Sequence, residues 1–141
     1  MGGCTSVSVD TNLHRAARLK DVKWTKSLLH EGAAVNAKGP KGHTVLFHAI
    51  FHGAPGEILD DLIAAGADTC ATDDRGWTSL ILAANRGFTD VVQKLLDKGA
   101  DPHFEDPLGH TARWHSMTQG HDSTAKLLEQ WESLERHYEL S

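Results

Sequence analysis

The chain has 141 residues, of which 40% are apolar and 23% charged, and its 14 basic and 19 acidic side chains give a net charge of −5. That length suits one domain able to bury a core without disulfide staples, and the mixture is not that of a disordered chain. No block of five like charges occurs, so neither the basic face of a nucleic-acid binder nor a polybasic membrane patch is present.

The first ten residues, MGGCTSVSVD, hold no apolar run of signal-peptide length. Met1-Gly2 with Ser6 four positions on matches the pattern for N-myristoylation, and Cys4 is a candidate for palmitoylation. One myristoyl chain binds membranes with only about 10⁴ M⁻¹, so stable attachment takes two signals. Residues 1–10 are therefore expected to be a flexible lipid anchor acylated at Gly2 and Cys4, the alternative being a plain frayed end. Cys4 and Cys70 are the only cysteines. Two thiols make no disulfide framework, and no later stretch is apolar enough to span a bilayer. A cytoplasmic protein is expected, at the cytoplasmic face of a membrane if the anchor is used.

From residue 11 onward the chain repeats. TNLHRAARLKD, TVLFHAIFHGA, TSLILAANRGF and TARWHSMTQGH begin at Thr11, Thr44, Thr78 and Thr111, which are 33, 34 and 33 residues apart. EGAAV, AGADT and KGADP recur in phase with them, as do Gly42, Gly76 and Gly109. Each unit predicts two short helices. Leu13, Ala16 and Ala17, like Leu80, Ala83 and Ala84, have helical spacing, and their small residues let paired helices approach. Val22, Leu28 and Leu29 in one second helix, and Val91, Leu95 and Leu96 in another, supply the apolar stripe. Gly32, Gly66 and Gly99 are expected to end second helices in a left-handed conformation. Pro55 suits the first turn of one. No such unit buries its apolar face alone, so neighbours must stack.

Some positions depart from the repeat. Lys20 stands where the later units have Gly53, Gly87 and Gly120, and the second unit has an extra residue near Gly53-Ala54-Pro55-Gly56. Arg113 stands where the others have Leu, and Leu127-Leu128 comes one residue early. Leu127, Trp131, Leu134 and Tyr138 continue a helical period, which predicts a C-terminal capping helix whose outer face carries Glu132, Glu135 and Arg136. A stack continuing into a further repeat is the alternative.

Thr11-x-Leu13-His14, the Ala16-Ala17 and Ala83-Ala84 pairs, Leu-Leu at 28–29 and 95–96, Gly-Ala-Asp at 66–68 and 99–101, and Asp-x-x-Gly-x-Thr at 73–78 and 106–111 together resemble the ankyrin repeat over residues 11–131. No unit has Pro after its Thr, and only the first keeps the motif's His, as His14. The resemblance implies an all-α, ankyrin-repeat solenoid of helix-turn-helix units joined by hairpin-like loops. Its repeats fall near 11–43, 44–77, 78–110 and 111–131, with a C-terminal helix extension at 132–141, so that 11–141 form the repeat domain. It also implies a non-catalytic role: a protein partner held on the concave face by hairpin tips and first helices. By position, that face comprises Lys41, His43, Phe51, His52, Asp74, Arg75, Trp77, Asn85, Arg86, Leu108 and His110. His43, Trp77 and His110 each directly precede a repeat Thr, so three tips carry a ring. Trp and Arg are enriched in binding hot spots, which favours Trp77, Arg75 and Arg86 as central contacts. Packing of Trp77 on neighbouring tips is the alternative. Asn36, in Ala-Val-Asn, resembles the ankyrin asparagine that hydroxylases modify.

Among ten histidines, His48 and His52 are four apart on a predicted helix, but the sequence fixes no third ligand, so no metal is expected. His14 and His121 are expected to have structural roles. Asp60-Asp61 and Asp73-Asp74 read as a helix surface and a hairpin tip, and no nucleophile or phosphate-loop motif is present, so neither a catalytic residue nor a cofactor is expected. The function predicted is a monomeric protein-interaction scaffold or adaptor, tethered to a membrane by N-terminal acylation. The alternative is a soluble inhibitor of a partner enzyme such as a kinase.

Overall fold

The recurring threonines are helix caps. Thr11, Thr44, Thr78 and Thr111 each have extended backbone, and each Oγ1 accepts the amide N–H three residues on, from His14, Phe47, Ile81 and Trp114 respectively. A threonine there satisfies one of the N–H groups that a helix start leaves unpaired. In this computed structural model, residues 11–140 are described, with side chains described through Leu134. Gly2 and Cys4 lie outside the described residues.

The described chain is all-α, with eight helices: α1 (Asn12–Arg18), α2 (Val22–His30), α3 (Val45–Phe51), α4 (Gly56–Ala64), α5 (Ser79–Arg86), α6 (Thr89–Asp97), α7 (Ala112–Thr118) and α8 (Asp122–Leu140). Isolated antiparallel bridges, Lys38 to Thr44 and Thr72 to Thr78, close two of the connecting loops as hairpin-like tips. The chain divides after Ala67 into two compact units, with α1–α4 in the first and α5–α8 in the second.

In the first unit α1 packs on α2 and α3, α3 on α4, and α2 on α4. Leu13, Ala16 and Ala17 of α1, and Ile58, Leu59 and Leu62 of α4, are fully buried. On α2 the expected stripe of Val22, Leu28 and Leu29 is only half-buried, and Thr25 is its one buried residue. Pro55 is the N-cap of α4, one residue outside the expected first turn. Lys20 has φ of 60°, so a lysine occupies the left-handed turn that Gly87 makes at φ 72° in the later unit.

His14 does more than close its own turn. Its Nε2–H donates to the carbonyl of His43 at 2.9 Å, and its Nδ1 accepts from the Thr11 hydroxyl at 2.7 Å. The ring thus ties α1 to the first hairpin tip. A Cβ on the buried Gly39 would lie 3.0 Å from that ring. Here the chain has glycine where the two later tips have Asp73 and Asp106.

In the second unit α5 packs on α6 and α7, α7 on α8, and α6 on α8. Val92, Leu95 and Leu96 form the buried stripe of α6, whereas Val91, expected on it, is only half-buried. The i, i+3, i+4 spacing is satisfied one residue later than expected. The helix expected at the C-terminus is present as α8. Glu132, however, is not on a solvent face: it is 7% exposed, and one of its oxygens accepts from Arg113 at 3.0 Å. Glu132 follows the fully buried Leu128 by four residues, so both lie on one helix face. The arginine that breaks the repeat's leucine pattern is therefore matched by a carboxylate on the extended helix.

Candidate partner-binding site

Two hairpin tips of the second unit are built alike, each around a buried aspartate. Asp73 Oδ1 accepts the N–H groups of Arg75 (3.0 Å) and Trp77 (2.9 Å). Asp106 Oδ1 accepts those of Leu108 (3.0 Å) and His110 (2.9 Å). Each carboxylate nucleates the turn, and the residues that follow are pushed outward. The tips touch: a Cβ on Gly76 would fall 2.6 Å from Pro107 Cδ, so only glycine fits between them.

This construction aims several ring and cationic side chains at one another. Arg75 donates through Nε to Asp73 Oδ2 at 3.0 Å, and its guanidinium carbon lies 4.0 Å from the centre of the Trp77 ring, a cation–π arrangement. Trp77 meets the edge of His115 at 4.6 Å between centroids. His115 Nε2–H donates to Asp106 Oδ2 at 2.9 Å, and its Nδ1 faces the Asn85 amide at 3.5 Å. His110 stacks flat on Trp114, with centroids 3.5 Å apart and planes 3° from parallel. Burial would raise the Asp106 carboxyl, but the His110 N–H, the His115 ring and the Leu108 N–H outweigh it and hold the group below its usual value.

Of the residues expected to meet a partner, Arg75, Trp77, Asn85 and His110 are thus joined into one cluster through Asp106 and His115. Arg86 and Asp74 are exposed, and Leu108 is 80% exposed on its tip. In the first unit Lys41 is exposed, while Phe51 and His52 are half-buried and His43 is 6% exposed. His43 lies against Phe47 at 4.5 Å and Phe51 at 5.5 Å, and the His52 ring meets His48 at 4.5 Å. These rings form a second aromatic group, turned more toward the interior than the first.

Three participants were not singled out from sequence. Asp106 and His115 are buried organisers whose roles depend on the turn geometry. Trp114 is 42% exposed, and Met117, one turn along the same helix, is 58% exposed. The Ile81 that corresponds to Trp114 in α5 is buried. The repeat alignment that equates the two positions was a usable signal, because a tryptophan in a column of core residues asks what covers it.

Among the described residues, the Asp106–His115 pair does not extend to a nucleophile: the far nitrogen of His115 faces Asn85. The neighbouring hydroxyls are engaged elsewhere: Ser116 donates to the Arg113 carbonyl and Thr118 to the His115 carbonyl. What the cluster can do is bind, since it presents large rings and a guanidinium on a stiff frame.

The sequence model of the family described as "Ankyrin repeats (3 copies)" matches residues 13–106 and, again, 46–133. The chain is 31% identical over 118 residues to SH3 and multiple ankyrin repeat domains protein 2 of Homo sapiens, covering 84% of this chain and 6% of that protein. It is 28% identical over 129 residues to the inactive serine/threonine-protein kinase TEX14 of Mus musculus, covering 92% of this chain and 9% of that protein. A Rickettsia bellii (strain RML369-C) protein named for the same repeat is 33% identical over 117 residues, which is 82% of this chain and 65% of that protein. The chain thus spans less than two thirds of each of these relatives.

Proposed function

Because the chain belongs to the ankyrin-repeat family, whose repeats are protein-interaction modules, we propose that it is a non-catalytic adaptor that captures a protein partner on the second unit's tip cluster. The observation that carries this reading is the grouping of Arg75, Trp77, His110 and Trp114 around the Asp106–His115 pair. Trp and Arg are enriched in binding hot spots, and a frame already fixed by hydrogen bonds loses little more on binding. A partner segment with an apolar side chain beside a carboxylate suits Trp114 and Arg75.

Cross-linking in the protein's own cells, followed by identification of the captured proteins, tests this. Trp114→Ala and Arg75→Glu should each lower recovery of a specific partner at least tenfold, equivalent to about 1.4 kcal/mol of binding. Arg75→Glu also sets a like charge beside the buried Asp73 carboxylate and should melt lower, so recovery is compared at a temperature where both variants stay folded. Recovery as high as wild type with both variants would refute it. We also propose that the adaptor acts as a monomer in the cytoplasm, held to a membrane by acyl chains on Gly2 and Cys4. The Met-Gly-x-Cys start with Ser6 supports that reading. Gly2→Ala should then move the protein from the membrane fraction to the soluble one. If it does not, the rival is a soluble inhibitor of a partner enzyme such as a kinase, which has no use for either acyl group.

A further inference from the structure

We infer that Asp106, His110 and His115 form a zinc-binding site at the third hairpin tip. The inference concerns residues of the same cluster but does not depend on the partner reading, because it needs no partner. One ligand atom from each residue can be chosen so that all three lie within 4.8 Å of one another. His115 Nε2 and Asp106 Oδ2 are 2.9 Å apart, and His110 Nδ1 is 4.0 Å from Asp106 Oδ1. Zinc bonds of about 2.0–2.2 Å in a tetrahedron hold their donors roughly 3.3–3.6 Å apart. The 2.9 Å contact is to Oδ2 and the 4.0 Å one to Oδ1, so for one donor from each residue the bound is 4.8 Å, and closing the site asks for movements of roughly 1–1.5 Å.

The surroundings suit a metal better than they suit three surface side chains. Asp106 and His115 are 6% and 5% exposed, which makes them the floor, while the half-exposed His110 leaves a way in. Asp106 is anchored through Oδ1 by two backbone N–H groups, and Oδ2 carries the single bond from His115. The His110 ring is held flat against Trp114. His115 has an outer partner at its far nitrogen, Asn85. Metal at Nε2 displaces the proton there. That proton moves to Nδ1, where the Asn85 amide, turned to present its oxygen, accepts it, and such an outer hydrogen bond orients metal-bound imidazoles generally. Two imidazoles and one carboxylate select zinc and its neighbours over calcium or magnesium, and three protein ligands leave the fourth position to water.

The test uses the full chain, stripped with chelator, at a pH where the imidazoles are neutral. Zinc is titrated in competition with a chromophoric chelator, and cobalt(II) reports geometry through its visible bands. One zinc per chain is expected, with tetrahedral-type cobalt absorption. His110→Gln should weaken binding more than tenfold, and Asn85→Ala about tenfold through loss of ring orientation. His30→Gln, an exposed histidine elsewhere, should leave binding unchanged. Histidine ring NMR of the unaltered chain gives a readout independent of any variant's folding: zinc should shift the His110 and His115 rings and leave His14 in place. Absence of saturable one-to-one binding overturns the inference. So does equal binding by the His110→Gln and His30→Gln chains, or a zinc-induced shift centred on other histidines.

Discussion

Arg113→Leu is the sharpest perturbation of the fold. It restores the leucine that the repeat carries as Leu13, Leu46 and Leu80, each buried to 1%. A rule based on the repeat alone predicts that the variant is more stable. The structure predicts the opposite. Arg113 Nη1 is 3.0 Å from Glu132 Oε2, and the Glu132 side chain is 9% exposed, so the substitution strands a carboxylate away from water. Breaking a buried pair by removing one partner costs about 3–5 kcal/mol. The Arg113 side chain is 35% exposed, so water partly replaces it and the lower end applies. The new leucine returns about 1 kcal/mol of apolar burial at a site still partly open. The expected net loss is therefore about 2 kcal/mol, read as a lower urea midpoint and faster hydrogen exchange across α7 and α8. The double variant Arg113→Leu, Glu132→Leu removes the stranded charge and should return to within about 1 kcal/mol of wild type. If Arg113→Leu alone is as stable as wild type or more so, the ion pair is incidental and the reasoning fails.

Two further outcomes follow from particular contacts. Gly87 has φ of 72°, and a Cβ there would lie 2.5 Å from the His121 ring, whereas Gly120, at φ 78°, has open space around it. Gly120→Ala should cost about 1 kcal/mol, the backbone strain alone, and Gly87→Ala about 2–3 kcal/mol in urea denaturation; equal losses would mean that the His121 ring yields freely. Asp106 has a depressed folded-state value, so its contribution is complete above the unfolded carboxylate value of about 3.9 and is lost as pH falls through the folded value. Asp106→Asn should therefore lower stability near neutrality and flatten the acid limb of a stability–pH curve. An acid limb as steep as that of wild type would show that other carboxyls set it.

What was legible in the sequence is what short-range chemistry specifies. A threonine cap acts three residues ahead and a left-handed glycine ends its own helix, so the spacing of 33 or 34 residues placed the helix pairs. Helix phase was less secure where apolar residues adjoin. Val91 and Val92 both continue to Leu95, and only packing decides that Val92 is the buried one. The cluster at the tips was legible only in its outward half. Arg75, Trp77 and His110 follow from their place in the hairpin, because each tip pushes those positions outward. Asp106 and His115 are nine residues apart and meet only because the tip folds back over α7, so no local pattern announces their pairing. The same holds for His14 with the His43 carbonyl, 29 residues away, and for Arg113 with Glu132, 19 away. In the last two cases the repeat pattern is broken at one position and the partner lies on a neighbouring element: glycine replaces the tip aspartate where His14 reaches in, and arginine faces a longer last helix. A departure from a repeat is thus a pointer to a compensating partner, and the place to look for it is the next packed element rather than the adjoining residues. Trp114 is the remaining departure of this kind: a large ring in a core column, 42% exposed. One face of that ring is covered by His110; under the proposed function, a bound protein would cover the area that stays exposed.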